Sequence, residues 1–207
     1  MTKRLLHNAQ VIDPEAGTIT RADIRIENGL ITQVSQSPLS ANPNEHSVDC
    51  HNKYLAPGII DIGVKVCEPG ERHKESFKSA GLAAAAGGIT TMVTRPDTTP
   101  AIDSPETLEF IARRANQATP VNVIPMAALT KGRNGREMSE IGFLMDAGAI
   151  AFTDCDHVVS NPKVFARALS YACALGALVI AHPQEPTLSK GAAATSGKFA
   201  SLRGLPA

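Results

Sequence analysis

The spacing of hydrophobic positions changes once along the chain, near residue 54. Residues 22–27 alternate apolar and polar side chains, which is typical of a half-buried strand. Asn28-Gly29 follows and predicts a tight hairpin turn. The Ser-, Pro- and Asn-rich stretch 36–46 predicts a loop. Residues 1–54 are therefore predicted to form a small antiparallel β-sheet, with strands over 5–12, 22–27 and 30–34.

From residue 55 onward, short apolar runs alternate with helical patterns, which predicts βαβ units and a parallel sheet. Ser104 is a candidate N-cap, and Pro105 suits the first helical position because its missing N–H costs nothing there. The stretch beyond Pro183 is small, polar and without pattern. Helices are predicted over 74–86, from 105, over 136–147 and over 162–175. Five strands are predicted over 58–62, 89–94, 121–126, 149–153 and 177–181.

Composition narrows the class of protein. The chain has 207 residues, of which 43% are hydrophobic, so it can bury a real core. Its 20 basic and 20 acidic side chains balance, which argues against a nucleic-acid or membrane-surface partner. The four cysteines are irregularly spaced, and no apolar run has the length of a signal or a spanning helix, so we expect a cytoplasmic protein. A complete (β/α)8 barrel typically needs about 250 residues, more than this chain has.

In parallel α/β folds, function lies at the carboxyl ends of the strands. A hydrolytic zinc site needs about three protein ligands, and His182 with Asp154 supplies two. The alternative to a metal site is a rim of salt bridges. The basic stretch 131–136 favours a solvated loop over a nucleic-acid contact, because it is short and lacks aromatic residues. The polar residues at the strand ends are Gly63, Lys65, Cys67, Arg95, Asp97, Thr130, Lys131, Asp154, Cys155, Asp156 and His182.

Residues 55–75, from Leu55-Ala-Pro-Gly to His73-Lys-Glu, resemble the first barrel strand and loop of dihydroorotases, which belong to the amidohydrolase superfamily. The resemblance implies an α/β fold, namely part of a TIM (β/α)8 barrel of the metal-dependent hydrolase type, preceded by a small β-sandwich segment. Residues 1–54 would be the sandwich segment and 55–207 the first five βα units. The match continues through 83–88, 100–109, 128–132, 147–154, His182 and 204–206.

The departures from the family pattern concern the site. At strand one the family shows Asp-x-His-x-His-x-Arg, and here Asp61 is kept. The two metal-ligand positions are Gly63 and Lys65, so both histidines are lost. The arginine that grips the substrate carboxylate is replaced by Cys67, which cannot form a bidentate pair with a carboxylate.

Two later motifs also differ from the family. Its substrate-binding Asn corresponds to Asp97, which would repel an anionic dihydroorotate. After strand four its usual Asp-Asp-Gly is Asp154-Cys155-Asp156. His182 matches a family metal ligand, so Asp154 and His182 are the possible remnants of a metal site.

An altered site on a retained scaffold is similar to the non-catalytic dihydroorotase homologues that assemble with aspartate transcarbamoylase. We therefore expect an oligomeric, catalytically inactive partner of that enzyme in pyrimidine biosynthesis. No cofactor is expected; zinc serves the family. Lys65 could supply the missing positive charge near Asp61, Asp154 and His182, or it could point to solvent.

Two alternatives stay open. The chain could be an active zinc-dependent cyclic-amide hydrolase, a dihydroorotase or a hydantoinase- or allantoinase-like enzyme. Its rebuilt metal site would use Asp154, Asp156 and His182 with Cys155 or Cys67. The chain could also be a fragment, because in the family later strands supply another His ligand and the general base. Five strands would leave sheet edges and an apolar face uncovered, so we expect association.

Overall fold

The computed structural model describes residues 3–207 and divides the chain into two compact units, with the boundary after Gly58. The first unit is one mixed β-sheet. Its strands are β1 (Lys3–Asp13), β2 (Thr18–Glu27), β3 (Leu30–Ser35), β4 (His46–Asp49) and β5 (Tyr54–Leu55).

The sheet of the first unit has the order β3-β2-β1-β4, and β5 also pairs with β1. The β2–β3 hairpin turns at Asn28 and Gly29, which both have positive φ, so the predicted hairpin is confirmed. The prediction of a purely antiparallel sheet is wrong, because β4 and β5 run parallel to β1. These two strands are too short to give a readable alternation of apolar and polar residues.

A bulge in β1 places a buried carboxylate in this unit. The register of β1 against β2 shifts between Leu6 and Ala9, where Asn8 has a φ of 62°. Asp23 is buried there and accepts hydrogen bonds from the backbone N–H groups of Asn8 and Leu39. This carboxylate therefore joins the bulge to the loop after β3.

The second unit alternates strands and helices. It contains β6 (Ile59–Val64), α1 (Phe77–Ala86), β7 (Ile89–Thr94), α2 (Pro105–Ala118), β8 (Asn122–Pro125), a 3₁₀ turn (Lys131–Arg133), α3 (Ile141–Asp146), β9 (Ala151–Phe152), α4 (Pro162–Leu175), β10 (Leu178–Val179) and α5 (Lys198–Arg203).

All strand pairs of the second unit are parallel, as predicted. One sheet has the order β6-β7-β8, and β9 pairs with β10. A single parallel bridge between Ala127 and Phe152 connects the chain after β8 to β9. The helices cover one side of these strands, and the main core lies between them, with Phe77, Leu108, Ile111, Leu129, Ile141, Leu144 and Phe152 fully buried.

The helix boundaries agree with the predictions at some positions and differ at others. Ser104 caps α2 and Pro105 begins it, as predicted. The first helix begins after Ser76, which caps it, instead of at residue 74. The helix predicted over 136–147 is only α3, because hydrogen bonds described below hold the chain before it in a loop.

The stretch after Pro183 is not wholly irregular, because it contains α5. This helix ends at Gly204 in the left-handed conformation that favours glycine. The Arg203 guanidinium lies over the Phe199 ring, 5.8 Å from its centroid. No helix within residues 3–207 is long and apolar enough to cross a membrane.

Candidate functional site

The polar residues after the strands of the second unit line a cavity of about 410 Å³. Because parallel strands end at the same edge of a sheet, residues that are far apart in sequence meet there. Gly63 comes from β6, Arg95 follows β7, Cys155 and Asp156 follow β9, and His182 follows β10. Part of the predicted ring therefore lines this cavity, whereas its other members do not, namely Lys65, Cys67, Asp97, Thr130, Lys131 and Asp154.

The buried Asp97 carboxylate forms ion pairs with two partly exposed cations. Its side chain is only 3% exposed, and its Oδ2 lies 3.1 Å from Lys65 Nζ and 2.9 Å from an Arg95 terminal nitrogen. Its Oδ1 and Arg95 Nε are buried without a hydrogen-bond partner. The hydrogen bond from Lys65 to Asp97 raises the pKa of the Lys65 ammonium. Lys65 therefore stays protonated and stabilises the buried carboxylate.

The partner of Lys65 differs from the sequence hypothesis. Its ion pair is with Asp97, and not with Asp61, Asp154 or His182. Its side chain is 53% exposed, yet its ammonium is paired with Asp97, so it does not simply point to solvent. Positions 65 and 97, which depart from the family pattern in two separate motifs, contact each other in the structure.

Asp156 links Arg95 to Arg133, which lies in the loop after β8. Its Oδ1 lies 3.4 Å from the same Arg95 nitrogen and 3.1 Å from an Arg133 terminal nitrogen. A hydrogen bond from its own backbone N–H, together with the charges of Arg95 and Arg133, holds the pKa of the Asp156 carboxyl below its usual value. Lys65, Asp97, Arg95, Asp156 and Arg133 are called the ion-pair chain below.

Asp154 has both carboxylate oxygens occupied by one residue. It is 4% exposed and accepts hydrogen bonds from the Thr130 backbone N–H, at 3.0 Å, and from the Thr130 hydroxyl. The same hydroxyl accepts from Gly135 N–H, and Arg133 Nε donates to the Asp154 backbone oxygen. Asp154 therefore fixes the loop between β8 and α3, which the sequence predicted in part to be helical.

The two cysteines near the site differ in their surroundings. Cys155 has a φ of 58°, and its N–H donates to the Thr153 hydroxyl. Burial, reinforced by the nearby Asp97 charge, raises the pKa of the Cys155 thiol. Cys67 is partly buried, and its backbone oxygen accepts a hydrogen bond from Glu71 N–H. Cys155 is therefore an uncharged thiol at neutral pH.

His182 is exposed on the rim of the cavity. Its Nε2 lies 2.8 Å from the Gln184 side-chain oxygen. It also lines a smaller, mainly apolar cavity of about 190 Å³ with Asp154 and Phe165. The two possible metal remnants, Asp154 and His182, thus border the same small cavity, but each carboxylate oxygen of Asp154 already accepts a hydrogen bond from Thr130.

The residues at the strand ends do not fit the zinc ion that the resemblance to dihydroorotases implies. Gly63 has no side chain, and its φ of 96° is a conformation that side-chain-bearing residues rarely adopt. Lys65 brings an ammonium to the second ligand position, and Arg95 adds another fixed charge. Within residues 3–207, His, Cys, Asp and Glu side chains nowhere gather in threes in an arrangement suited to a metal ion.

Sequence reasoning missed two contributions to this region. Arg133 was assigned to a solvated loop, yet its guanidinium side chain is 12% exposed and bonds Asp156. Glu68, which lies in the stretch 55–75 that resembles the family and was given no role, is a buried acceptor for Phe77 N–H and Arg114 Nε. Neither side chain belongs to a motif of regular spacing, so their partners could be found only in three dimensions.

Comparison with known proteins agrees with this fold. The dihydroorotase-like family model matches residues 52–207. A dihydroorotase of Geobacillus kaustophilus is 39% identical over 194 residues, which cover 92% of this chain and 45% of that protein. A dihydroorotase-like protein of Pseudomonas putida is 35% identical over 198 residues, covering 96% of this chain and 46% of that protein. The chain thus spans about half the length of the curated relatives it matches.

Among solved structures, an L-hydantoinase of Arthrobacter aurescens is similar in fold, with a TM-score of 0.78 and 21% identity over 91% of this chain and 42% of that one. This likeness confirms the predicted fold class, a partial α/β fold with open sheets. The matched family model and the relatives together establish the assignment. The chain belongs to the dihydroorotase-like family.

Proposed function

We propose that this chain is a catalytically inactive dihydroorotase-like protein of de novo pyrimidine biosynthesis. It would act in the cytoplasm as a structural or regulatory partner of aspartate transcarbamoylase. The observation that carries the proposal is the ion pair between Lys65 and Asp97. The pair has a cation, Lys65, at a position where a hydrolase would need a metal ligand. It has a carboxylate, Asp97, at a position where a hydrolase would bind the anionic substrate.

The altered substrate positions support the same proposal. Cys67 offers no positive charge to a carboxylate. Asp97 is held by Lys65 and Arg95, so these two cations are engaged within the protein. A dihydroorotate anion would have to compete with a buried carboxylate for them, and the site would bind it poorly.

An exposed apolar strand supports the role as an assembly partner. The Ile59, Ile60 and Ile62 side chains of β6 are 56%, 61% and 67% exposed. Large apolar side chains that lie together on the surface mark interaction sites. We propose that this strand becomes covered in the assembly.

Co-expression with aspartate transcarbamoylase from the same organism tests the partnership. Size-exclusion chromatography with light scattering should show one complex that contains both chains. Ile60→Glu should weaken it, whereas Leu82→Glu, an equally drastic change at an exposed position of α1, should leave it intact. Separate elution of the two unmodified proteins would refute the proposed partnership.

The second candidate is an active cyclic-amide hydrolase, favoured by the cavity that Cys155, Asp156 and His182 line together. Thiolate, carboxylate and imidazole are all acceptable zinc ligands. Zinc-dependent hydrolysis of dihydroorotate that disappears in Cys155→Ala and in His182→Ala would establish this candidate. The geometry opposes it, because no three His, Cys, Asp or Glu side chains within residues 3–207 are arranged to hold a metal ion.

A further inference from the structure

We propose that Lys65 and Arg95, joined by the buried Asp97 carboxylate, form a resident cationic centre that takes the place of a divalent metal at the carboxyl edge of β6 and β7. The inference concerns the same site as the proposed function, but it does not depend on aspartate transcarbamoylase. In this centre, side-chain cations and not a metal ion hold the two strand ends together electrostatically.

The Asp97 carboxylate is almost completely buried. A carboxylate whose side chain is 3% exposed is costly unless cations or donors compensate it. Both Lys65 and Arg95 bind the same oxygen, Oδ2. They follow neighbouring parallel strands, which hydrogen-bond up to the pair Val64 and Thr94. Asp97 therefore acts as the bridge between two strand ends.

Charge balance is the second step. The ion-pair chain holds three cations and two carboxylates, so it carries one excess positive charge. A divalent cation added here would meet this positive charge and would have to displace Lys65 or Arg95 from Asp97. The centre therefore favours its own side chains over a metal ion.

The third step is the contact between two departures from the family pattern. Position 65 carries a cation and position 97 carries a carboxylate, and the two groups lie 3.1 Å apart. Either change alone would leave a charge at the strand end with a weaker counter-charge. The two changes are therefore expected to stabilise the protein only as a pair.

A double-mutant cycle on the full protein tests this pairing, with Lys65→Met, Asp97→Asn and the double variant. Thermal unfolding is measured after chelation, at low and high salt. Lys65→Met should lower Tm by about 2–4 °C at low salt and by less at high salt. Lys78→Met on α1 is the matched control and should leave Tm unchanged, because Lys78 is exposed and makes no ion pair within the described chain.

The double variant decides the outcome. If the centre exists, its Tm loss is clearly smaller than the sum of the two single losses. Additive losses would overturn the inference. If Asp97→Asn does not fold, zinc titration of the unmodified protein and of Lys65→Met replaces the cycle. Elemental analysis should then find no stoichiometric zinc in the unmodified protein, and one bound zinc per chain with a rise in Tm would overturn the inference.

Discussion

Replacing Asp154 distinguishes a structural carboxylate from a metal ligand. Asp154 accepts two hydrogen bonds from Thr130, a residue that is fully buried. Asp154→Ala leaves the Thr130 N–H and hydroxyl without an acceptor in the interior. Asp154→Asn keeps an oxygen for the N–H but turns an amide NH₂ toward the hydroxyl, so the hydroxyl O–H loses the carboxylate oxygen to which it donates.

The expected size of the effect follows from these bonds. Each buried donor left unpaired costs about 1–3 kcal/mol, so Asp154→Ala should destabilise the protein by about 4 kcal/mol. For a chain of this length, about 2–4 °C of Tm corresponds to 1 kcal/mol, so the loss is about 10 °C. Asp154→Asn breaks one of the two bonds and should lose about half as much.

Thermal unfolding by circular dichroism measures these losses, and each variant is examined after chelation and again with added zinc. Asp146→Ala, at the exposed end of α3, is the control and should shift Tm by less than about 2 °C. The losses should be the same with and without zinc. The structural role of Asp154 would be refuted if Asp154→Ala had the same Tm as the control variant. It would also be refuted if Asp154→Ala lowered Tm only when zinc is present.

Three further predictions concern the same unit. Glu68→Gln should make the free energy of unfolding less dependent on pH below about 5, as measured by acid unfolding. Burial raises the pKa of the Glu68 carboxyl, but the hydrogen bonds from Arg114 and the Phe77 N–H outweigh burial and hold that pKa below 4.5 in the folded protein. The unmodified protein therefore loses this stabilisation as the pH falls through the lowered pKa, whereas the Gln variant has no such carboxyl to protonate. Gly70→Ala should lower Tm by about 5 °C or more in a thermal melt, because its φ is 102° and a Cβ would lie 2.5 Å from a backbone oxygen; an unchanged Tm would contradict this. Alkylation of Cys155 followed by mass spectrometry should be slow at neutral pH and faster in the unfolded protein, since burial raises the pKa of its thiol; equal rates would contradict this.

Local signals in the sequence predicted much of the fold. The Asn28-Gly29 turn, the Ser104 cap and the five parallel strands each depend on a few neighbouring residues. The structure of the loop before α3 could not be predicted, because its backbone is fixed by Asp154, which lies 24 residues beyond Thr130. Such long-range acceptors override local helix propensity.

The candidate site was predictable as a set of strand ends but not as a network. Chain order placed Lys65 and Asp97 after neighbouring strands, and the resemblance marked both as altered. The sequence could not show that one carboxylate oxygen accepts from both Lys65 and Arg95, because that depends on side-chain reach and burial. It also could not show that Arg133 turns inward from a basic loop to Asp156.

The most direct test of the central claim is the rate of dihydroorotate hydrolysis by the purified protein with zinc present, alone and together with aspartate transcarbamoylase. A site that holds Gly63 and a Lys65–Asp97 ion pair should give no hydrolysis above the protein-free rate in either sample. Zinc-dependent turnover that is lost in His182→Ala would contradict the account and establish the rebuilt metal site instead.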